Sequence, residues 1–223
     1  MRRSTRALAA WSSTALLAST GLLVGPSPSS AAPGSPPGVG VADPSAHPGA
    51  LRARITFHKR PAHPWNSRIS WRATRQQVDG SWTTIAHGSW RAGSGLPGGH
   101  ATDACVRNHG WLPDGRYSLR QVDDYAGTLI HGRVFRLSDK RCADGTLRQE
   151  LFIHTEASAG NGQCANRPGD QICRWEFPRI NDYTSHGCIK MAPGDLLALT
   201  RAYQRFFATG VRYPTAKVAL VVR

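Results

Sequence analysis

Between residues 51 and 150 the sequence is written in short β-favouring stretches, each closed by a turn signal. Ile69 to Val78 and Ser81 to Trp90 flank Asp79-Gly80. That dipeptide accepts positive φ at both central positions of a two-residue turn, so it predicts an antiparallel hairpin. A second hairpin is expected to join Tyr117–Val122 to Leu129–Leu137 through Asp123-Asp124-Tyr125-Ala126-Gly127. Asp144-Gly145 marks a further turn, and Leu147 to His154 reads as a strand that ends on a histidine. Short strands at such regular spacing pack as a sandwich or close into a barrel. One helix is expected, capped by Asp195, with Leu196, Leu199, Tyr203, Phe206 and Phe207 on one face and Gly210 as its stop. Lys217 to Val222 then reads as a buried strand. The fold class is therefore mainly β with a minor helical part, sandwich-like or barrel-like, with one amphipathic helix and no internal repeat.

The first residues point to export. Arg2, Arg3 and Arg6 precede an Ala- and Leu-rich run from Ala7 to Val24, and small residues follow at Ser30-Ala31-Ala32. This order is that of a secretory signal peptide over residues 1–32, with an uncleaved membrane anchor as the alternative. Residues 33–50 hold many Pro, Gly and Ser residues and read as a linker. What remains, residues 51–223, is enough for one core.

The chain carries 28 Lys and Arg against 14 Asp and Glu, a formal charge of +14. Setting aside the three arginines of the leader leaves 25 against 14, or +11. An exported chain this basic is drawn to anionic wall polymers or membrane surfaces, and export argues against nucleic acid.

Five cysteines occur, at 105, 142, 164, 173 and 188. In an oxidising compartment an odd number leaves one thiol free or paired with another chain. Cys164 and Cys173 bracket a short loop with Asn166, Pro168, Gly169 and Asp170, which suits a local disulfide. Cys105 and Cys142 could then pair and leave Cys188, although four cysteines allow three connectivities. Cys188 follows Gly187, whose backbone freedom permits a tight turn and close substrate approach. N–H groups around such a turn can hold an oxyanion, and a thiol needs a base or cation to become a nucleophile. His154 and His186 are the candidates, the latter expected on the same face as Cys188 if the segment is extended. A buried, inert cysteine is the plain alternative. No CxxC or HExxH spacing supports zinc, and nothing points to a nucleotide or haem. The other seven histidines read as surface residues.

Ser185-His186-Gly187-Cys188-Ile189-Lys190-Met191, preceded by Phe152-Ile153-His154-Thr155, resembles the L,D-transpeptidase (YkuD-like) family. Leu112-Pro113-Asp114-Gly115-Arg116-Tyr117 is similar to a turn of the same family. The resemblance implies a mixed β fold over residues 51–223 bearing a cysteine enzyme of peptidoglycan stem peptides, without a cofactor or metal and acting as a monomer. It implies that Cys188 attacks the carbonyl of the diamino acid at stem position three and releases the terminal D-Ala. His154 corresponds to the base, and the Thr155 carbonyl to the group that orients it. Ser185, His186 and Gly187 correspond to the nucleophile pocket, Gly187 and Cys188 offering oxyanion N–H groups. A second stem's amine would resolve the thioester into a 3→3 cross-link; water would make the protein an L,D-carboxypeptidase. A non-catalytic wall-binding module is the third reading.

The chain also departs from the family. His154 and Cys188 are 34 positions apart, more than is usual, and the excess contains Cys164 and Cys173. Lys190 stands where Arg is common; it can attract a stem carboxylate but lacks a guanidinium's two-pronged geometry. Glu156 could orient His154 or face solvent, and solvent is the expectation.

Overall fold

In the computed structural model, residues 49–156, 163–164, 183–208 and 218–223 are described. All lie in the unit His47–Arg223. The strands are β1 (Leu51–His58), β2 (Ser67–Gln76), β3 (Trp82–Gly93), β4 (Gly115–Ala126), β5 (His131–Leu137), β6 (Lys140–Arg141), β7 (Leu147–Arg148), β8 (Phe152–His154), β9 (Ile189–Met191) and β10 (Ala219–Val222). One helix, α1, spans Pro193–Ala208. Eight strands close a barrel in the order β1-β10-β4-β5-β8-β9-β3-β2, and β6 with β7 forms a separate ribbon. The mainly β fold with one helix is thus as the turn pattern predicts.

The Asp79-Gly80 hairpin forms where expected, its strands paired from Ser67↔Ala92 to Gln76↔Trp82. The turn itself differs from the expected two-residue one: Gln77 N–H donates to the Ser81 carbonyl (2.8 Å) and Gly80 N–H to the Gln77 carbonyl (3.0 Å), so Val78-Asp79-Gly80 form the loop and, of these, only Gly80 takes positive φ, +82. The second hairpin differs in extent. Its strands run on to Ala126 and resume at His131, with a register shift between Val122 and Tyr125. Asp123 and Asp124 therefore lie in a bulge within β4, and Gly127 donates to the Ile130 carbonyl to close the turn, 3.0 Å. The strand expected over Leu147–His154 is broken in two. Glu150 sits at φ +51, a left-handed conformation that interrupts the pleat between β7 and β8.

The core follows strand alternation. Ala53, Ile55 and Phe57 on β1 and Ile69, Trp71 and Ala73 on β2 point inward and are buried. The apolar stripe of α1 covers this interior: Tyr203 and Phe206 meet Trp71 edge-on at 6.2 and 5.6 Å, and Tyr203 meets Phe135 at 5.3 Å. The helix begins earlier than expected. Leu196 N–H donates to the Ala192 carbonyl and Pro193 occupies the first helical position, so Asp195 stands inside the first turn rather than at the cap. Gly210 and Lys217 lie outside the described residues. Among the described residues no helix is long and apolar enough to cross a membrane.

Trp71 joins sheet and helix, so its truncation should be felt by both. Trp71→Ala is expected to destabilise the domain by ~3–5 kcal/mol, read from the shift of the urea midpoint. A shift below about 1 kcal/mol would mean that α1 does not share the barrel's core.

Candidate active site

β8 and β9 are adjacent and parallel, with Ile153 beside Ile189 and His154 beside Lys190. Ile153, Ile189 and Met191 face the main core. Alternation turns Phe152 and His154 to the opposite face, where Cys188 packs with Phe152 and Val134 in a smaller cluster edged by Val122, Tyr125 and Ile130. His154 and Cys188 thus share one face of two adjoining strands, on either side of the Ile153–Ile189 pair.

The Cys188 turn is held from three sides. Ser185 Oγ donates to the Cys188 carbonyl at 2.5 Å, and Ser185 N–H donates to Gly95 O at 3.1 Å. Gly187 adopts φ +114, and a Cβ there would meet Arg148 Nη2 and the Gly110 carbonyl. Glycine is therefore required twice over, by conformation and by space. This bend also ends the extended geometry expected for residues 186–188. His186 stands exposed, whereas Cys188 is 8% exposed, so the two do not share the face that simple alternation predicts.

His154 is buried, and its Nδ1 lies 2.8 Å from the Thr155 carbonyl. With the proton on Nδ1, that bond fixes the ring and leaves the Nε2 lone pair free to accept a proton. Burial lowers its pKa to about 4, the Thr155 bond opposes this, and the Lys190 charge adds to the lowering. The Cys188 thiol is pushed up to about 11, chiefly by burial. A hydrogen bond from Phe152 N–H and the Arg148 charge pull the other way, and Glu150 raises it further. Its Sγ lies 3.5 Å from the Glu150 carbonyl. At neutral pH the pair is therefore a neutral thiol and a neutral imidazole, which suits general-base transfer of the thiol proton on attack.

This pKa has a consequence for stability. The unfolded imidazole titrates near ~6.5 and the folded one near 4, so below pH ~6.5 the unfolded chain takes up the proton first. Stability is lost as pH falls through that window, by up to ~3 kcal/mol from this group. His154→Gln should remove that part of the loss, so that urea midpoints of variant and wild type converge between pH 7 and pH 4.5. Parallel curves across that range would show that the buried imidazole is not held neutral.

Two further side chains complete the site. Lys190 Nζ lies 2.5 Å from Glu156 Oε2, and both side chains are largely buried, at 10% and 15% exposure. Glu156 therefore does not face solvent as expected; parallel pairing of β8 with β9 carries Lys190 alongside it. A stem carboxylate reaching Lys190 would have to compete with Glu156. Arg148 is the residue that sequence reasoning missed. It is 3% exposed, and its guanidinium donates to the carbonyls of Ala104, Gly110 (3.1 Å) and Trp111 (3.3 Å). Among the described residues it has no carboxylate in ion-pair range, and it lies against Gly187. A lone arginine in a two-residue strand carries no sequence signal of such burial.

The cysteines divide as follows. Cys164 is disulfide-bonded and buried, and its N–H donates to the Glu156 carbonyl at 3.0 Å; Cys173 lies outside the described residues. Gln163 clasps the Arg133 backbone through both amide atoms, at 3.0 and 2.9 Å. Cys105 and Cys142 stand as free thiols rather than the expected disulfide. Their sulfurs and an Asp144 oxygen lie within 4.8 Å of one another, at hydrogen-bonding rather than bonding separation. Cys142 Sγ lies 3.4 Å from the Ala104 carbonyl, the same oxygen that Arg148 holds.

No family model matches the chain. Nor does any curated protein. Among solved structures the chain is similar to the helical cell shape determining protein Pgp2 from Campylobacter jejuni, with a TM-score of 0.39 and 16% identity. The match covers 79% of this chain and 49% of that one, so the chain spans about half the length of that structure.

Proposed function

We propose that the chain is an exported cysteine acyltransferase of peptidoglycan stem peptides, an L,D-transpeptidase. The observation that carries the reading is the shared face of β8 and β9. It presents a single thiol at a glycine turn, and a buried neutral histidine whose Nδ1 is engaged and whose Nε2 is free. In this reading residues 1–32 direct export, residues 33–50 tether the domain, and residues 51–223 form the catalytic unit.

Cys188 Sγ attacks the carbonyl carbon of the third stem residue as His154 Nε2 takes the thiol proton. The carbonyl becomes an oxyanion beside the N–H groups of Gly187 and Cys188. Collapse breaks the bond to the terminal D-Ala, which leaves with the proton from His154, and a thioester remains. The side-chain amine of a second stem then attacks the thioester, forming the 3→3 amide and returning the thiol. Ser185 holds the turn through the Cys188 carbonyl, and Thr155 holds the base. His186, exposed beside the turn, is assigned to the rim of the pocket. Lys190, balanced by Glu156, attracts the stem carboxylate.

The high thiol pKa also suits a wall-binding module in which Cys188 is inert, so the two readings need separating. Incubation with tetrapeptide stems, followed by mass spectrometry, should show an acyl adduct on Cys188 and a 3→3 dimer. Tripeptide without dimer would make the protein a carboxypeptidase. Absence of any adduct would leave the binding module.

A further inference from the structure

The outer face of β1–β3 carries a charge arrangement that the chemistry above does not use. Because Ala53, Ile55, Ile69 and Trp71 point inward, Arg54 on β1 and Arg68 and Arg72 on β2 point outward. Register brings these into rows across three strands. Arg54 lies opposite Arg72, and Arg72 opposite His87. Four residues along, His58 lies opposite Arg68, and Arg68 opposite Arg91. Between the rows run Thr56, Ser70 and Ser89; Thr56 is itself buried, so Ser70 and Ser89 are the hydroxyls that this face presents.

Like charges directly across strands destabilise a sheet, so such rows are a cost unless something anionic covers them. Nothing in the described part of the protein does. None of the four arginines belongs to an ion pair among the described residues. Asp195 senses the Arg68 charge without pairing to it. Instead, three of the guanidinium groups are anchored through Nε: Arg68 to Ser89 Oγ (3.1 Å), Arg72 to Thr84 Oγ1 (3.0 Å) and Arg91 to the Trp65 carbonyl (3.0 Å). Anchoring through Nε leaves the terminal Nη pair of each, the part of the fork that grips a phosphate, without a hydrogen bond among the described residues. Arg91 also stacks on Tyr183 at 4.0 Å, two residues before Ser185. The next residues of β3, Ala92 and Gly93, pair with Met191 and Lys190. One row therefore ends one residue short of the segment of β3 that pairs with β9, the strand that Cys188 immediately precedes.

We propose that this face docks a phosphodiester polymer of the cell wall, a polyol phosphate, and holds it across the strands toward the Cys188 site. Neighbouring strands are ~4.8 Å apart, so a polymer crossing them meets a cation at each strand. That matches a chain with a charge on every short repeat. A bilayer fits less well, because hydroxyl side chains fill the space between the rows and offer nothing to enter hydrocarbon. The inference rests on export as read above and not on the thioester chemistry.

The test compares two variants of equal net charge in the full chain. One removes the face (Arg54→Gln, Arg68→Gln, Arg72→Gln and Arg91→Gln). The other removes four exposed arginines elsewhere (Arg107→Gln, Arg120→Gln, Arg141→Gln and Arg205→Gln). Binding to immobilised poly(glycerol phosphate) is measured over a salt series, with Tm confirming that both variants fold. The face variant should bind at least tenfold more weakly, with its salt slope reduced by about 3, while the control stays within about twofold of wild type. Equal weakening in both variants would reduce the effect to net charge and overturn the proposal. So would failure of the wild type to bind the polymer, or tighter binding of it to anionic phospholipid vesicles or duplex DNA. Turnover of soluble stem peptides should be unchanged in the face variant. A wild type that binds the polymer but never acylates would overturn the catalytic reading and leave the docking face standing.

Discussion

Cys188→Ala should lower acyl transfer from tetrapeptide stems by at least ~10⁴-fold, because the step that forms the thioester has no second route. The fold should survive. Cys188 packs only in the small cluster with Val134 and Phe152, and its sulfur's polar partners are the backbone of Glu150 and Phe152. Alanine therefore leaves a void of about one sulfur atom in a small cluster edged by the partly buried Val122, Tyr125 and Ile130. Melting temperature should move by only a few degrees, and intact mass should show no acyl adduct. Cys188→Ser is the stricter comparison. Serine preserves the bond to the Glu150 carbonyl and the local packing, but a hydroxyl beside a neutral imidazole is a far weaker nucleophile than a thiol. It too should lose most turnover. An alanine variant retaining more than about a hundredth of wild-type activity would remove Cys188 from the mechanism.

The second large effect is expected at Arg148. Its guanidinium donates to the buried carbonyls of Gly110 and Trp111 in the loop ahead of β4, and to the partly buried Ala104 carbonyl that Cys142 also reaches; each buried carbonyl left without a donor costs ~1–3 kcal/mol. The Arg148→Gln side chain is shorter, uncharged and has two N–H donors in place of five. A loss of about 3 kcal/mol or more is expected, read by urea denaturation, with Arg148→Lys falling between variant and wild type. The thiol should respond as well. Arg148 favours the Cys188 thiolate, so its removal should slow alkylation of Cys188 at pH 9, where only the small ionised fraction reacts. Gly187 tests the contact from the other side. Gly187→Ala alone suffers both the positive φ and the collision with Nη2, whereas in the Arg148→Gln background the collision is eased. The two changes should therefore be less than additive, and strict additivity would show that the groups do not press on each other.

What could be read ahead of the structure was the chemistry carried by neighbours in sequence. Asp79-Gly80 places its hairpin because Gly80 supplies the left-handed residue that reverses the chain, although the loop takes in Val78 as well and only Gly80 has positive φ. The apolar stripe of α1 repeats within one helix and was equally plain. Other features arise only when distant segments meet. The burial of Arg148 depends on carbonyls of Ala104, Gly110 and Trp111, about 40 residues away, and an arginine in a strand otherwise reads as surface. The Glu156–Lys190 contact exists because β8 and β9 lie parallel, which no local pattern announces. The break at Glu150 is a left-handed residue that is not glycine, so nothing in its type marks it. At the site, His154, Cys188 and Gly187 were legible as residues, and their shared face was not. His186 was misjudged because a glycine at positive φ cancels the alternation on which the expectation relied.

The parallel pairing of β8 with β9 also separates two kinds of distance. Strands that run side by side in the same direction cannot be joined by a tight turn, so chain must travel from the end of one back to the start of the other. The length of that return is not fixed by the strands themselves. His154 and Cys188 keep their relation through the backbone ladder between Ile153 and Ile189, whatever number of residues the return contains. The stretch between them is therefore where a protein of this design can gain or shed sequence, and with it a preference for one partner molecule over another, while the reacting atoms stay in register.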